Sequence, residues 1–185
     1  MPSVGGQVSV LVLLGSLRAA SVNRQIAELA VAMAPDGVTL TVFDRLAELP
    51  FYNEDLDTAE ALPAAAAALR QAGAGADGVL VITPEYNGSI PAVLKNAIDW
   101  FSRPLGARVL NGKPLAVIGA ALGRYGGVWA HDETRKSFAL AGPRVIDEIA
   151  LAVPIGSLEG RHPRDHAELV RQVRDVVVRL TAATR

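Results

Sequence analysis

The chain has 185 residues, with 18 Lys and Arg against 19 Asp and Glu, three His and no Cys. A net charge of −1 offers nothing to draw in a nucleic acid or an anionic membrane. The absence of Cys removes disulfides, thiolate metal sites, iron–sulfur clusters and cysteine nucleophiles together.

Residues 1–7, with Gly5 and Gly6, read as a frayed start. Val8–Leu14 is a continuous apolar run, too short for the roughly 20 residues that cross a bilayer. The first basic residue, Arg18, follows this run, whereas a secretion signal carries its charge ahead of it. The run therefore reads as a buried strand, and the default compartment is the cytoplasm, which the lack of Cys fits. Ile26, Leu29, Ala30 and Met33 then recur at helical spacing. Val38–Phe43 is a second strand-like run. The Ala-rich residues 61–76 read as a helix, with Pro63 near the first turn and Gly73 near the end. Residues 78–83 give a third strand, and Leu94, Ala97, Ile98 and Phe101 repeat the helical spacing. Residues 115–121 form a fourth strand, followed by a helix from Gly127 through Arg135 to Leu140. Residues 149–155 form a fifth strand. Leu169, Val173, Val176, Val177 and Leu180 make the apolar stripe of a last helix.

Short apolar runs without polar alternation suit parallel strands covered on both faces. Five strand–helix units with no linker or compositional break predict one domain over residues 1–185. The expected fold is an α/β, flavodoxin-like three-layer sandwich with a five-stranded parallel sheet of order 2-1-3-4-5. Ligands of such sheets lie beyond the carboxyl ends of the strands, with flavin mononucleotide (FMN) at the switch point between the first and third. The loops after strands one, three and four are the ones to search.

The first loop reads Gly15-Ser16-Leu17-Arg18-Ala19-Ala20-Ser21-Val22-Asn23-Arg24 and leads into a helix, whose free N–H groups attract anions. Ser16 and Ser21 supply hydroxyls, Asn23 an amide and Arg18 a planar fork that matches phosphate oxygens. A charge-assisted bond contributes about 1.5–3 kcal/mol against about 0.3–1 for the helix dipole, so an inward Arg18 dominates. The competing reading is a Ser-capped helix beside solvated arginines. The site lacks G-x-G-x-x-G and G-K-[ST], and side-chain grip suits a terminal monophosphate.

The second loop, Thr83-Pro84-Glu85-Tyr86-Asn87-Gly88-Ser89-Ile90-Pro91, is braced by two prolines, and Ser89 is placed to cap the next helix. Its backbone N–H groups can meet the polar edge of a flat heteroaromatic ring. Tyr86 stacks on a ring or fills a subunit contact. Glu85 is a catalytic base or, as a lone carboxylate more often is, structural. The third loop holds Gly123, Gly126 and Gly127 around Arg124 and Tyr125, a glycine cluster compatible with a flat ligand or with an ordinary turn.

The first loop, together with the unbroken stretch Pro84-Glu-Tyr-Asn-Gly-Ser-Ile-Pro-Ala-Val-Leu-Lys-Asn-Ala-Ile-Asp-Trp100, resembles the NADPH-dependent FMN reductase family, which includes bacterial quinone, chromate and azo-dye reductases. Leu49-Pro-Phe-Tyr-Asn-Glu-Asp55 is similar to that family's Pro-x-Tyr-Asn-x-Asp segment. The resemblance implies that Ser16, Arg18, Ser21 and Asn23 hold the FMN phosphate. It implies that Pro84, Glu85, Tyr86, Asn87, Gly88 and Ser89 line the ring and ribityl chain, and that Gly123 and Gly126 close the other side. It implies hydride transfer from NADPH or NADH through FMN to a small-molecule acceptor (quinone, flavin, azo compound or metal oxyanion), with no obligatory side-chain acid. Family members are typically homodimers or homotetramers, and Asp99 and Trp100 stand on the helix that often supports the oligomer. The family commonly has a Ser near Ala121 and less bulk where Leu122, Arg124 and Tyr125 stand here. Arg124 is expected to approach the nicotinamide cofactor.

Other features carry less. His162 and His166 are interrupted by Pro163, with no H-E-x-x-H, and are expected to be exposed and metal-free. His131-Asp132 lacks a G-x-S-x-G partner and reads as a solvated pair. Arg164, Arg171, Arg174 and Arg179 make a wet helix face, and Lys95 and Asp99 a local pair. Two rivals remain: an FMN-binding electron-transfer flavoprotein without NAD(P)H turnover, which a net charge near zero disfavours, and a flavin-free binding module on the same fold.

Overall fold

Residue parity along the first strand builds the sheet's two faces. In the computed structural model, which describes residues 7–106 and 108–185, Val10, Val12 and Leu14 point to one side and Leu11 and Leu13 to the other. Both sides are covered, so the run has no polar alternation. The strands are β1 (Val8–Leu14), β2 (Val38–Phe43), β3 (Gly78–Ile82), β4 (Pro114–Ala121) and β5 (Arg144–Pro154). All pair in parallel, in the order β2-β1-β3-β4-β5, as the hydrophobic pattern predicts. Of residues 1–7, expected to form a frayed start, 1–6 lie outside the described residues.

Helices α1 (Val22–Ala32) and α5 (Ala167–Ala182) cover one face, where Ile26, Val173, Val177 and Leu180 meet Val12, Leu80 and Ile118. Helices α2 (Ala64–Ala74), α3 (Ala92–Phe101) and α4 (Val128–Ala141) cover the other, where Leu69, Leu94, Phe101 and Phe138 meet Leu13, Val81 and Val117. Burying each such side chain contributes about 1.5–3 kcal/mol.

Three elements differ from expectation. Strand β5 begins at Arg144, well before residue 149, because its polar Asp147 and Glu148 occupy an irregularity. The register steps from Leu115 opposite Val145 to Val117 opposite Ala150, and Arg135 Nη2 donates to the Val117 carbonyl at 3.0 Å. Helix α3 is not capped by Ser89; Pro91 stands at its N-cap. Helix α2 is shorter than the Ala-rich stretch, and a distant residue closes it. The Lys113 ammonium reaches the carbonyls of Gly73, Ala74 and Ala76 at 2.7, 2.9 and 2.6 Å, satisfying helix-end oxygens. Burial lowers the Lys113 pKa below its ordinary value.

The resemblance stretch also has a structural job. Trp100 is fully buried, which excludes it from any subunit interface. Its indole donates to Pro50 O at 2.9 Å, and its ring stands edge-on to Tyr52, centroids 4.9 Å apart. Asn96 accepts from Tyr52 N at 2.9 Å and donates to Pro50 O at 3.0 Å. Arg70 grips Asp57 bidentately at 2.6 and 2.7 Å and donates to Trp100 O. This network pins the loop after β2 onto α3, and the guanidinium holds the Asp57 carboxyl below the usual carboxylate range.

The Arg70 and Asp57 side chains are only 14% and 7% exposed, so removing one partner strands a desolvated charge. We expect Arg70→Met to cost about 3 kcal/mol in urea unfolding at neutral pH. Lys95→Ala, at an exposed pair of 2.6 Å, should cost less than about 0.5 kcal/mol.

Candidate functional site

The carboxyl ends of β1, β3 and β4 converge on one buried residue, Thr83. A Cβ on Gly15 would stand 2.4 Å from Thr83 Oγ1, and one on Gly119 would stand 2.0 Å from Thr83 O. Only hydrogen fits at either place, and the three loops that follow are thereby drawn around a single crevice. That crevice has a volume of about 290 Å³, near the roughly 300 Å³ lower end of small-molecule sites. It is lined by Ser16, Arg18, Ser21, Asn23, Pro84, Glu85, Tyr86 and Gly123 from the predicted set. Val22, Ala120, Ala121, Leu122 and Ile155 complete it. Asn87, Gly88, Ser89 and Gly126 are not among its lining residues.

At the start of α1, Ser21 is the N-cap and its hydroxyl accepts from Asn23 N at 3.1 Å. The N–H groups of Val22 and Arg24 find no acceptor among the described residues. Ser16 is 4% exposed, yet its hydroxyl makes no hydrogen bond among the described residues. An unpartnered, nearly buried hydroxyl beside free helix-start N–H groups is the donor set that a phosphate monoester requires.

Asn23 lines the crevice, and its amide also holds the chain together. Its Nδ2 donates to Ala120 O and its Oδ1 accepts from Ala120 N, both at 2.8 Å. The amide is thus a strut joining α1 to the end of β4. Arg18 is exposed, and its one bond is a donation to Ala20 O at 3.3 Å, so its fork stays available at the crevice.

In the loop after β3, Tyr86 and Ser89 exchange backbone bonds at 3.1 and 3.0 Å. Asn87 and Gly88 sit between them with φ of 54° and 73°, the two-residue turn that Asn-Gly favours. The N–H groups of Glu85, Asn87 and Gly88 have no acceptor among the described residues. Glu85 is structural: its Oε2 accepts from Trp129 N and Ala130 N, both at 3.1 Å. It closes the start of α4, where a carboxylate is stabilised by the helix dipole, in place of any side-chain cap on α4 itself. Ser89 Oγ donates to Glu133 Oε2 at 2.5 Å. These three bonds clasp the loop after β3 to the first turns of α4.

His131 is the residue that sequence reasoning misread. It is not a solvated partner of Asp132 but 1% exposed, with Nε2 3.3 Å from Thr83 O, which makes Nε2 the protonated nitrogen. The misreading has a simple source. Helix α4 presents only scattered apolar residues, and nothing local shows that its start is pulled under the sheet ends by Glu85. His162 and His166 are half-buried at helix starts: His162 Nδ1 accepts from Arg164 N, and His166 Nε2 lies 3.0 Å from Leu158 O.

A family model described as NADPH-dependent FMN reductase matches residues 8–157. A 2-hydroxy-1,4-benzoquinone reductase of a Burkholderia species is 43% identical over 128 residues, covering 69% of this chain and 68% of that protein. An NAD(P)H-dependent FMN reductase of Pseudomonas aeruginosa is 36% identical over 170 residues, 89% of this chain and 90% of that one. Among solved structures, the flavoenzyme NAD(P)H:(acceptor) oxidoreductase FerB of Paracoccus denitrificans superposes with a TM-score of 0.82 at 28% identity. It covers 96% of this chain and 97% of its own.

Burial lowers the His131 pKa below its ordinary 6.5. Below pH 6.5 the unfolded chain therefore takes up a proton that the folded protein resists. The contribution to stability is complete above that pH and is lost as pH falls, by up to about 1.4 kcal/mol per unit. Urea titrations at about pH 5.5 and about 7.5 should show a smaller pH difference for His131→Gln than for the parent. An equal difference would leave His131 no part in the acid sensitivity.

Proposed function

The chain belongs to the NADPH-dependent FMN reductase family, and on that premise we propose that this crevice is where it holds FMN and admits NAD(P)H and a quinone-type acceptor in turn. It is an NAD(P)H-dependent flavin oxidoreductase. The chemistry that FMN supplies when bound is hydride transfer from NAD(P)H to a second acceptor.

In this reading Ser16, Ser21 and the N–H groups of Val22 and Arg24 hold the flavin phosphate, with Arg18 closing over it. The Glu85 N–H faces the polar edge of the ring, those of Asn87 and Gly88 reach it from the turn just outside the crevice lining, and Pro84, Tyr86, Ala121 and Gly123 wall it in. Asn23, Glu85 and His131 keep the three loops in register through the Ala120 peptide, the start of α4 and the Thr83 carbonyl. The observation that carries this assignment is the donor surplus: a nearly buried hydroxyl and N–H groups without acceptors in the loops after β1 and β3 border one crevice, while Glu85, the carboxylate that lines it, is already bonded. No side-chain acid is needed to deliver a proton.

A quinone is the favoured acceptor because a flat, uncharged ring suits a narrow crevice and because the Burkholderia relative is described as a benzoquinone reductase. We also propose that residues 1–185 work as one unit in the cytoplasm, a reading supported by the lack of Cys. No helix among the described residues is long and apolar enough to cross a membrane. Assembly as a homodimer or homotetramer is supported by a groove between α3 and α4, lined by Ile98 and Asp99. Leu105 and Leu140 on its rim are 77% and 72% exposed.

Arg18→Ala should weaken FMN binding to the apoprotein roughly ten-fold or more, read as quenching of flavin fluorescence; unchanged affinity would remove Arg18 from the phosphate site. Anaerobic NADPH should bleach the flavin of the holoprotein, and benzoquinone should restore its colour. Flavin that stays oxidised under NADPH would favour the electron-carrier rival.

A further inference from the structure

Two guanidinium groups that the protein itself does not consume stand in loops that border the crevice, Arg18 among its lining residues and Arg124 next to the lining pair Leu122 and Gly123. Arg18 makes the single 3.3 Å bond to Ala20 O. Arg124 donates no hydrogen bond and forms no ion pair among the described residues; its Cζ lies 4.7 Å from the centroid of the Tyr125 ring. The carboxylates nearby are engaged, Glu85 by two N–H groups of α4 and Glu133 by Ser89. The loops after β1 and β4 therefore each bring one guanidinium without a protein anion to the border of the crevice. A flavin phosphate at the start of α1 uses the first. The second is left for another phosphoryl ligand.

Arg124 is held as a ligand-binding arginine should be. Residues 123–126 form a turn closed by Gly126 N donating to Gly123 O at 3.0 Å, which puts Arg124 and Tyr125 at its tip. Gly126 has φ of 67°, and a Cβ there would lie 2.6 Å from the β5 backbone, so the exit of the turn is pressed against the sheet. Tyr125 leans on Trp129, ring centroids 6.1 Å apart, in the first turn of α4 that Glu85 closes. Stacking on an aromatic face occupies none of the in-plane N–H donors of a guanidinium, so Arg124 is oriented before any ligand arrives. Its neighbours Leu122 and Gly123 line the crevice.

We propose that Arg124, seated on Tyr125, binds a phosphate of the nicotinamide dinucleotide, in its ADP half. The inference rests on reading the crevice as the flavin site. It gives the enzyme a means of telling its two substrates apart in one place. NADPH carries a pyrophosphate and a 2′-phosphate, whereas an uncharged quinone offers Arg124 nothing.

The test uses flavin-loaded Arg124→Ala and Arg124→Lys. We expect KM for NADPH to rise roughly ten-fold in Arg124→Ala, with the change in KM rather than kcat and the benzoquinone KM unmoved, and Arg124→Lys to recover part of the loss. Adenosine 2′,5′-bisphosphate, titrated calorimetrically into the flavin-loaded protein, should bind correspondingly more weakly. A rise confined to NADPH assigns the 2′-phosphate to Arg124, and an equal rise with NADH assigns the pyrophosphate; either supports the proposal. Donor KM values and bisphosphate affinity unchanged in Arg124→Ala would overturn it. Flavin content, read from absorbance, separates this failure from that of the underlying reading: a parent protein that takes up no flavin overturns both.

Discussion

The site depends on how closely three strand ends can approach Thr83. Its N–H donates to Ile118 O at 3.0 Å, its carbonyl faces His131, and its side chain and carbonyl leave no room for a Cβ at residue 15 or 119. Any side chain at those two positions would push the loops after β1 and β4 outward. With Gly at both, the loops meet, and the Asn23 amide bolts them together through the Ala120 peptide. Two buried bonds to one peptide unit fix both distance and orientation, at a place where a desolvated amide left unpaired would cost about 1–3 kcal/mol. The rigidity of the crevice is thus a property of buried polar contacts behind it. The residues that face the ligand remain largely uncommitted.

That division of labour explains which parts were legible from sequence. The central strands were readable because Val, Ile and Leu recur almost without polar interruption in β1, β3 and β4, a pattern that suits doubly covered parallel strands. Edge strand β2, by contrast, alternates Thr39 and Thr41 with apolar residues. The start of β5 was hidden for the converse reason: Asp147 and Glu148 break the pattern inside a strand whose irregularity turns them outward. The end of α2 was equally hidden, because its cap comes from Lys113, far along the chain.

For the site, residue types were informative and pairings were not. Ser16, Arg18 and Ser21 could be singled out because hydroxyls and a guanidinium at a strand-to-helix turn point to an anion. The Asn-Gly at 87–88 carries a turn signal that the loop reading passed over. The roles of Asn23, Glu85, Ser89 and His131 are set by groups far away in sequence (Ala120, the start of α4, Glu133 and the Thr83 carbonyl), and no local spacing encodes such partners. In the resemblance stretch, Asn96 and Trp100 brace the loop after β2, so part of what makes that stretch recognisable is architecture rather than ligand contact.

An enzyme whose cofactor carries the hard chemistry needs from its chain a rigid cradle, a set of free donors and a mouth that sorts substrates. The fold meets the first need through Thr83 and its neighbours, and the loops meet the second by leaving their N–H groups unspent. Amide hydrogen exchange of the apoprotein with and without FMN examines both at once. The account predicts slowed exchange confined to residues 16–24, 85–88 and 121–127, with α5 and the loop after β2 unaffected. Protection spread evenly over the chain, or concentrated away from those three loops, would contradict it.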